Sequence, residues 1–145
     1  MNIVRLGDDE LPEATSLLAA SGLPTADLSP AIILLGVRDG VGLEGLAGLE
    51  PHGPVGLLRS LAVRHDRRRS GLGSALVLEV ERLAAAHGIP DLYLLTTTAE
   101  AFFRHRGYAP VERPSVPAAI QSTAEFTSVC PSSAVVMRKA LRGTP

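Results

Sequence analysis

A chain of 145 residues that is 46% hydrophobic and 3% aromatic, with no tryptophan and a formal charge of −1, has room for one domain built on an aliphatic core. The near-neutral charge argues against nucleic acid as the main partner, and the single cysteine excludes an internal disulfide. Apolar runs stay short of the roughly 20 residues of a membrane span, and Asp8-Asp9-Glu10 stands where a leader would carry its apolar stretch, so a cytoplasmic protein with no membrane partner is expected.

In chain order, Asn2 to Leu6 reads as a short strand. Asp8 or Asp9 then caps a helix through Ala20, in which Leu11, Ala14, Leu17 and Leu18 recur at helical spacing until Gly22 and Pro24 end it. Ile32 to Arg38 is an apolar, β-branched strand, and Asp39-Gly40 signals a hairpin into Val41 to Glu50, a strand weakened by its glycines. A second turn at Pro51 to Pro54 returns the chain along Val55 to Val63, completing an antiparallel meander. A helix from Leu72 to His87 crosses over to Asp91 to Thr96, a nearly continuous apolar strand, which makes a parallel strand-helix-strand step. Ala99 to Arg106 is a short helix stopped by Gly107, followed by strands at Tyr108 to Val111 and Ala134 to Lys139, with a helix near Ala118 to Phe126 between them.

The chemistry-bearing run is Arg68-Arg69-Ser70-Gly71-Leu72-Gly73, placed between the 55–63 strand and the following helix. The first turn of a helix leaves amide N–H groups without intrahelical acceptors, and the helix dipole adds partial positive charge there. Gly71 and Gly73 would let an anion approach the main chain, while Arg68 and Arg69 supply mobile charge at the rim. Taken alone, the six residues read equally well as a solvated loop. They form neither a Gly-Lys-Ser/Thr phosphate loop nor the three-glycine dinucleotide fingerprint.

The same six residues carry an arginine-x-x-glycine-x-glycine signature, and with it the chain resembles the GNAT N-acetyltransferases over essentially its whole length, taken as a single domain at 1–145. The resemblance implies an α/β fold of the α+β type. Its mixed, mostly antiparallel sheet is flanked by helices, and the strands at 55–63 and 91–96 lie parallel and splay apart. It implies acetyl-CoA as cosubstrate and no metal. The pyrophosphate would sit on Arg68, Arg69, Ser70, Gly71, Leu72, Gly73 and Ser74. The pantetheine arm would run along Leu61, Ala62 and Val63 and against Phe103, with the Leu61 N–H as oxyanion donor. Many members carry a tyrosine as general acid where this chain has Phe103, which leaves Thr98, Cys130 or water to protonate the departing thiolate.

Residues 94–103 and 116–134 further resemble the small GNAT proteins associated with bacterial arsenic-resistance operons. More distantly they resemble the acetyltransferase domain of N-acetylglutamate synthase, whose tail holds its amino acid with an arginine and a serine. Cys130 stands in the arginine's place and Ser132 in the serine's. A thiol cannot clamp a carboxylate bidentately, so glutamate is not the expected acceptor. The expected activity is N-acetylation of a small amine, an amino acid or amino-acid-like toxic compound, with Arg59, Ser60, Thr96, Thr97 and Ser132 lining the acceptor pocket. Strand alternation would put Arg59 on the face of Leu61 and Val63, where it could pair with a substrate carboxylate, or leave it a surface arginine. Glu100 reads either as a base or as a first-turn helix carboxylate, and Cys130 also reads as a small buried hydrophobe. His65 and His105 have no metal-ligand spacing. Two rivals stay open: a non-catalytic acyl-CoA-binding module, and an acetyltransferase acting on a protein N-terminus or lysine. The apolar run Ala134 to Met137 could pair strands across a homodimer.

Overall fold

The computed structural model describes residues 2–23, 25–129 and 133–141. A seven-stranded sheet forms in the order β1 (Val4–Arg5), β2 (Ile33–Arg38), β3 (Leu43–His52), β4 (Val55–Val63), β5 (Asp91–Thr96), β7 (Val135–Ala140) and β6 (Ala109–Pro110). Only β4 and β5 run parallel; every other neighbouring pair is antiparallel. Between the strands lie α1 (Leu11–Ala20), α2 (Leu72–Ala86), α3 (Glu100–Arg104) and α4 (Ala118–Gln121). The expected meander and parallel crossover are therefore both present.

Local chemistry accounts for the boundaries. No aspartate caps α1: a tight turn at Asp8–Glu10 precedes it, the Gly7 N–H donates to Glu10 Oε1 at 3.0 Å, and Pro12 occupies the first turn. At the β2–β3 hairpin, Asp39 Oδ1 accepts from the N–H groups of Val41 (2.8 Å) and Gly42 (3.0 Å), an Asx turn. The expected helix at 118–126 is shorter than its apolar pattern suggests. It stops at Gln121 and the chain resumes as a π turn at Glu125–Val129, with Thr123 Oγ1 bonding back to the Ile120 carbonyl at 2.7 Å.

The sheet buries both faces. On one, α2 inserts Leu72, Leu76, Val77, Val80 and Ala84 against Ile33, Leu35, Ala47, Leu49, Leu58 and Leu92. The glycines that weaken β3 as a strand have a packing role: a Cβ on Gly45 would stand 3.1 Å from both Leu72 and Leu76, so its absence lets α2 settle close. On the other face, α1 covers Leu34, Leu43, Leu46 and Ala62, and α4 covers Val55, Leu57, Tyr93 and Val136. Arg59 emerges on this second face, between the two apolar groups.

Candidate active site

β4 and β5 are paired only from Val55–Asp91 to Leu57–Tyr93, after which both strands continue without pairing to each other. A cleft of about 1260 Å³ opens there, lined by Leu58 to Val63 on one side, Leu94 to Ala99 on the other, and Phe102, Phe103, Thr25, Ala26 and Glu125 around it. The main chain of β4 faces into this gap at defined positions. The Arg64 N–H donates to the Glu44 carbonyl on the β3 side at 2.7 Å, and backbone groups alternate sides along a strand, so the N–H and C=O groups of Leu61 and Val63 point toward the cleft. The Val63 carbonyl accepts from Arg68 Nε at 3.3 Å, on the side away from β3.

At one end of the cleft stands the start of α2. Gly71 has φ +84°, a left-handed conformation open to glycine, and a Cβ there would meet nothing within 4 Å, so the turn presents bare main chain to solvent. The first helical bond at this end runs from the Ala75 N–H to the Gly71 carbonyl (3.1 Å), which leaves the preceding amides as outward donors. A Cβ on Gly73 would lie 3.3 Å from the Phe102 ring. Beside this turn a cavity of about 410 Å³ is walled by Arg67, Arg68, Arg69, Ser74, Phe102 and Arg106. Arg67 is tied to Glu44 at 3.0 Å. Arg106, which no sequence motif marks, lies 3.6 Å over the Phe102 ring and donates to the Phe102 carbonyl at 2.6 Å and to Ser74 Oγ. Four guanidinium groups and a helix N-terminus surround this cavity, a donor set whose chemistry suits an anion such as a pyrophosphate.

The other end is built around Arg59, and here a condition set by the sequence fails. Gly48 pairs with Arg59 but Leu46 pairs with Ala62, so β4 carries an extra residue, and Ser60 takes φ +59° at that bulge. Alternation is reset, so Leu61 and Val63 pack with the α2 face while Arg59 points to the other. There it is 3% exposed and is no surface arginine. Its Nη atoms donate to both Asp27 oxygens at 2.5 and 2.7 Å and to Glu50 Oε1 at 2.9 Å, Glu125 Oε2 lies 3.2 Å away, and Nε donates to Ser60 Oγ at 3.2 Å. Burial works against the Arg59 charge, and its hydrogen bond to Asp27, the charge of Glu125 and its hydrogen bond to Glu50 outweigh it and hold the pKa above its ordinary value. Conversely, the Arg59 hydrogen bonds hold Asp27 below the usual carboxylate range.

Thr96, Thr97 and Thr98 all line the cleft, with Thr96 Oγ1 also accepting from the Ala99 N–H (3.0 Å) at the start of α3. Phe103 is buried at the cleft wall, and Tyr108 packs edge-on to it, ring centroids 5.6 Å apart. The Tyr108 hydroxyl donates to Glu81 at 2.9 Å, and Glu81 also takes Lys139 at 3.0 Å, so this tyrosine is committed away from the cleft. Glu100 pairs with Arg104 at 2.7 Å along α3. Cys130 and Ser132 lie outside the described residues. Among the described residues no group of three or more His, Cys, Asp or Glu could hold a metal, and no helix is long and apolar enough to cross a membrane.

Comparison with known proteins adds to this geometry. Residues 31–110 match the family described as acetyltransferase (GNAT) domain. An amino-acid acetyltransferase of Ectopseudomonas mendocina (strain ymp) is 41% identical over 64 residues, which is 44% of this chain and 15% of that protein, so the chain spans only a small part of such a relative. The N-acetylglutamate synthase of Neisseria gonorrhoeae, solved with coenzyme A and N-acetyl-glutamate, superposes with a TM-score of 0.80 at 19% identity, covering 98% of this chain and 35% of that one. An aminoglycoside 6'-N-acetyltransferase solved with coenzyme A gives a TM-score of 0.74 at 18% identity, covering 100% of this chain and 99% of that one. The shared fold and the match over more than half of its length show that the chain belongs to the GNAT acetyltransferase domain family.

Proposed function

We propose that this protein transfers the acetyl group of acetyl-CoA to the amine of a small molecule, an amino acid or amino-acid-like compound. One observation carries the reading: a single cleft runs from the arginine- and glycine-rich start of α2 to the buried Arg59, with the main chain of Leu61 and Val63 facing the gap between them. The amides from Gly71 to Ser74, with Arg68, Arg69 and Arg106, would hold the pyrophosphate, and Leu61 to Val63 would hold the pantetheine amides. Bound acetyl-CoA supplies an activated thioester. The Leu61 N–H is then the donor for the developing oxyanion, a contact worth about 2.7–4 kcal/mol of barrier when preorganised. Thr98 at the cleft wall and Cys130 in the tail are the candidate proton donors to the thiolate, since Tyr108 is tied to Glu81.

The amino-acid class draws support from the relatives named amino-acid acetyltransferase, and the link to arsenic resistance from the resemblance of residues 94–103 and 116–134 alone. Phe103 in place of a tyrosine favours the second reading, an acyl-CoA-binding module without turnover. Incubating the purified protein with acetyl-CoA and a panel of amines, and following free thiol, separates the two. The first reading expects acceptor-dependent thiol release. Coenzyme A binding with no release from any amine would overturn it in favour of the second.

A further inference from the structure

On the reading of the cleft as the acetyl-CoA site, we infer that Arg106 is a positioning residue that acts through Ser74, fixing the serine hydroxyl as a directed donor to the pyrophosphate. Ser74 stands in the first turn of α2 and Arg106 just beyond α3, so the pair joins two elements at the wall of the cavity of about 410 Å³. Two donors of the guanidinium converge on one oxygen: Nε donates to Ser74 Oγ at 3.0 Å, and Nη2 donates to the same atom. Arg106 is itself held for this. Its Nη1 donates to the Phe102 carbonyl at 2.6 Å, and its Cζ stands 3.6 Å from the centroid of the Phe102 ring.

A serine hydroxyl carries one proton and two lone pairs, so an oxygen that accepts from a guanidinium turns its proton away from it. Among the described residues no acceptor receives that proton, not even the carbonyl one turn back that a helix serine commonly takes. The direction left to it is the one the ligand needs. Cα–Cβ bonds tilt toward the N-terminus of a helix, and the Ser74 amide precedes the first helical bond, from the Ala75 N–H to the Gly71 carbonyl. Hydroxyl and amide therefore share the end of α2 that Arg68 and Arg69 flank. The guanidinium also strengthens the hydroxyl as a donor, because hydrogen bonds in series polarise one another. A lysine could not take its place, since an ammonium is a point charge and not a fork.

Calorimetric titration of coenzyme A into the full chain, with phosphorus NMR of the saturated complexes, tests the pair. Ser74→Ala and Arg106→Lys should each weaken coenzyme A about tenfold, and the double variant should be no more than about twofold weaker than the worse single one, because the same hydrogen bond is lost either way. Ser74→Thr keeps the hydroxyl and should bind within about threefold of the unaltered protein. At saturation, both damaging variants should move the pyrophosphate resonances of bound coenzyme A and leave its ribose phosphate resonance in place, a signature that a merely loosened contact between α2 and α3 does not produce. Losses that multiply to about a hundredfold, unaltered affinity in either single variant, or a shift confined to the ribose phosphate overturns the inference while coenzyme A still binds. An unaltered protein that binds no coenzyme A overturns the acetyl-CoA site itself, and the inference with it.

Discussion

Gly73 lines both the cleft and the cavity at the start of α2, where a branched side chain would intrude on the proposed phosphate end. Its Cβ would already stand 3.3 Å from Phe102, at the turn where the amides of α2 point outward. Gly73→Val should raise the KM for acetyl-CoA about tenfold or more, with little change in melting temperature, because a helix tolerates valine at least as well as glycine. Steady-state kinetics and a thermal melt check both halves. Tyr108 makes the opposite case, a residue whose chemistry is spent on stability. Burial first, then the charge of Glu81, pushes its hydroxyl pKa up, so the neutral form is the folded form. Its contribution to stability is therefore whole below the unfolded tyrosine pKa of about 10 and is lost as pH rises from there through the higher folded value. Tyr108→Phe should cost about 1–2 kcal/mol at neutral pH, flatten the alkaline limb of stability, and leave kcat unchanged in chemical denaturation and turnover assays.

At the scale of elements, the bulge in β4 sets which way the site faces. Ser60 adopts φ +59°, which a β-branched residue resists, so Ser60→Val should destabilise the fold by about 1–3 kcal/mol. It should also lower kcat more than it weakens coenzyme A binding, since the bulge aims Leu61 while the phosphate end lies elsewhere; stopped-flow turnover and calorimetry give the two numbers. Much of this level was legible in the sequence. The strands at 55–63 and 91–96 and the helix from Leu72 announce themselves by apolar period and by the glycine turn before the helix. The bulge was not legible, because an extra residue in one strand shows only against the register of its neighbour, and it turned Leu61 and Val63 to the α2 face while Arg59 stayed on the face of Val55 and Leu57. The tail helix was overdrawn for a related reason: Thr123 ends it with a side-chain bond that competes with the helical backbone.

Across the whole molecule, the site is assembled from parts far apart in sequence, and that distance governs what could be read in advance. The phosphate end is one contiguous motif and could be recognised as such. The Arg59 cluster joins residues 27, 50, 59 and 125, of which only Glu50 and Arg59 share a hairpin, so spacing gave no sign of it. Arg106 was likewise hidden, an arginine near the end of α3 that folds back over Phe102 onto the first turn of α2. Because the cluster ties the loop after α1 to the sheet, it has a whole-molecule signature in acid. The Arg59 hydrogen bonds lower the Asp27 pKa, so the stability of that tie is present above the unfolded aspartate value of about 4 and is lost as pH falls through the lower folded one. Asp27→Asn should remove that part of the acid limb, as read by pH-dependent thermal melts.

A crystal structure of the protein with bound coenzyme A would decide whether the splayed gap between β4 and β5 is the acetyl-CoA site. The pyrophosphate is expected on the amides of Gly71 to Ser74, and the pantetheine amides paired with the main chain of Leu61 and Val63. Coenzyme A bound elsewhere on the surface, with the gap between Leu61 and Leu95 left empty, would contradict that assignment.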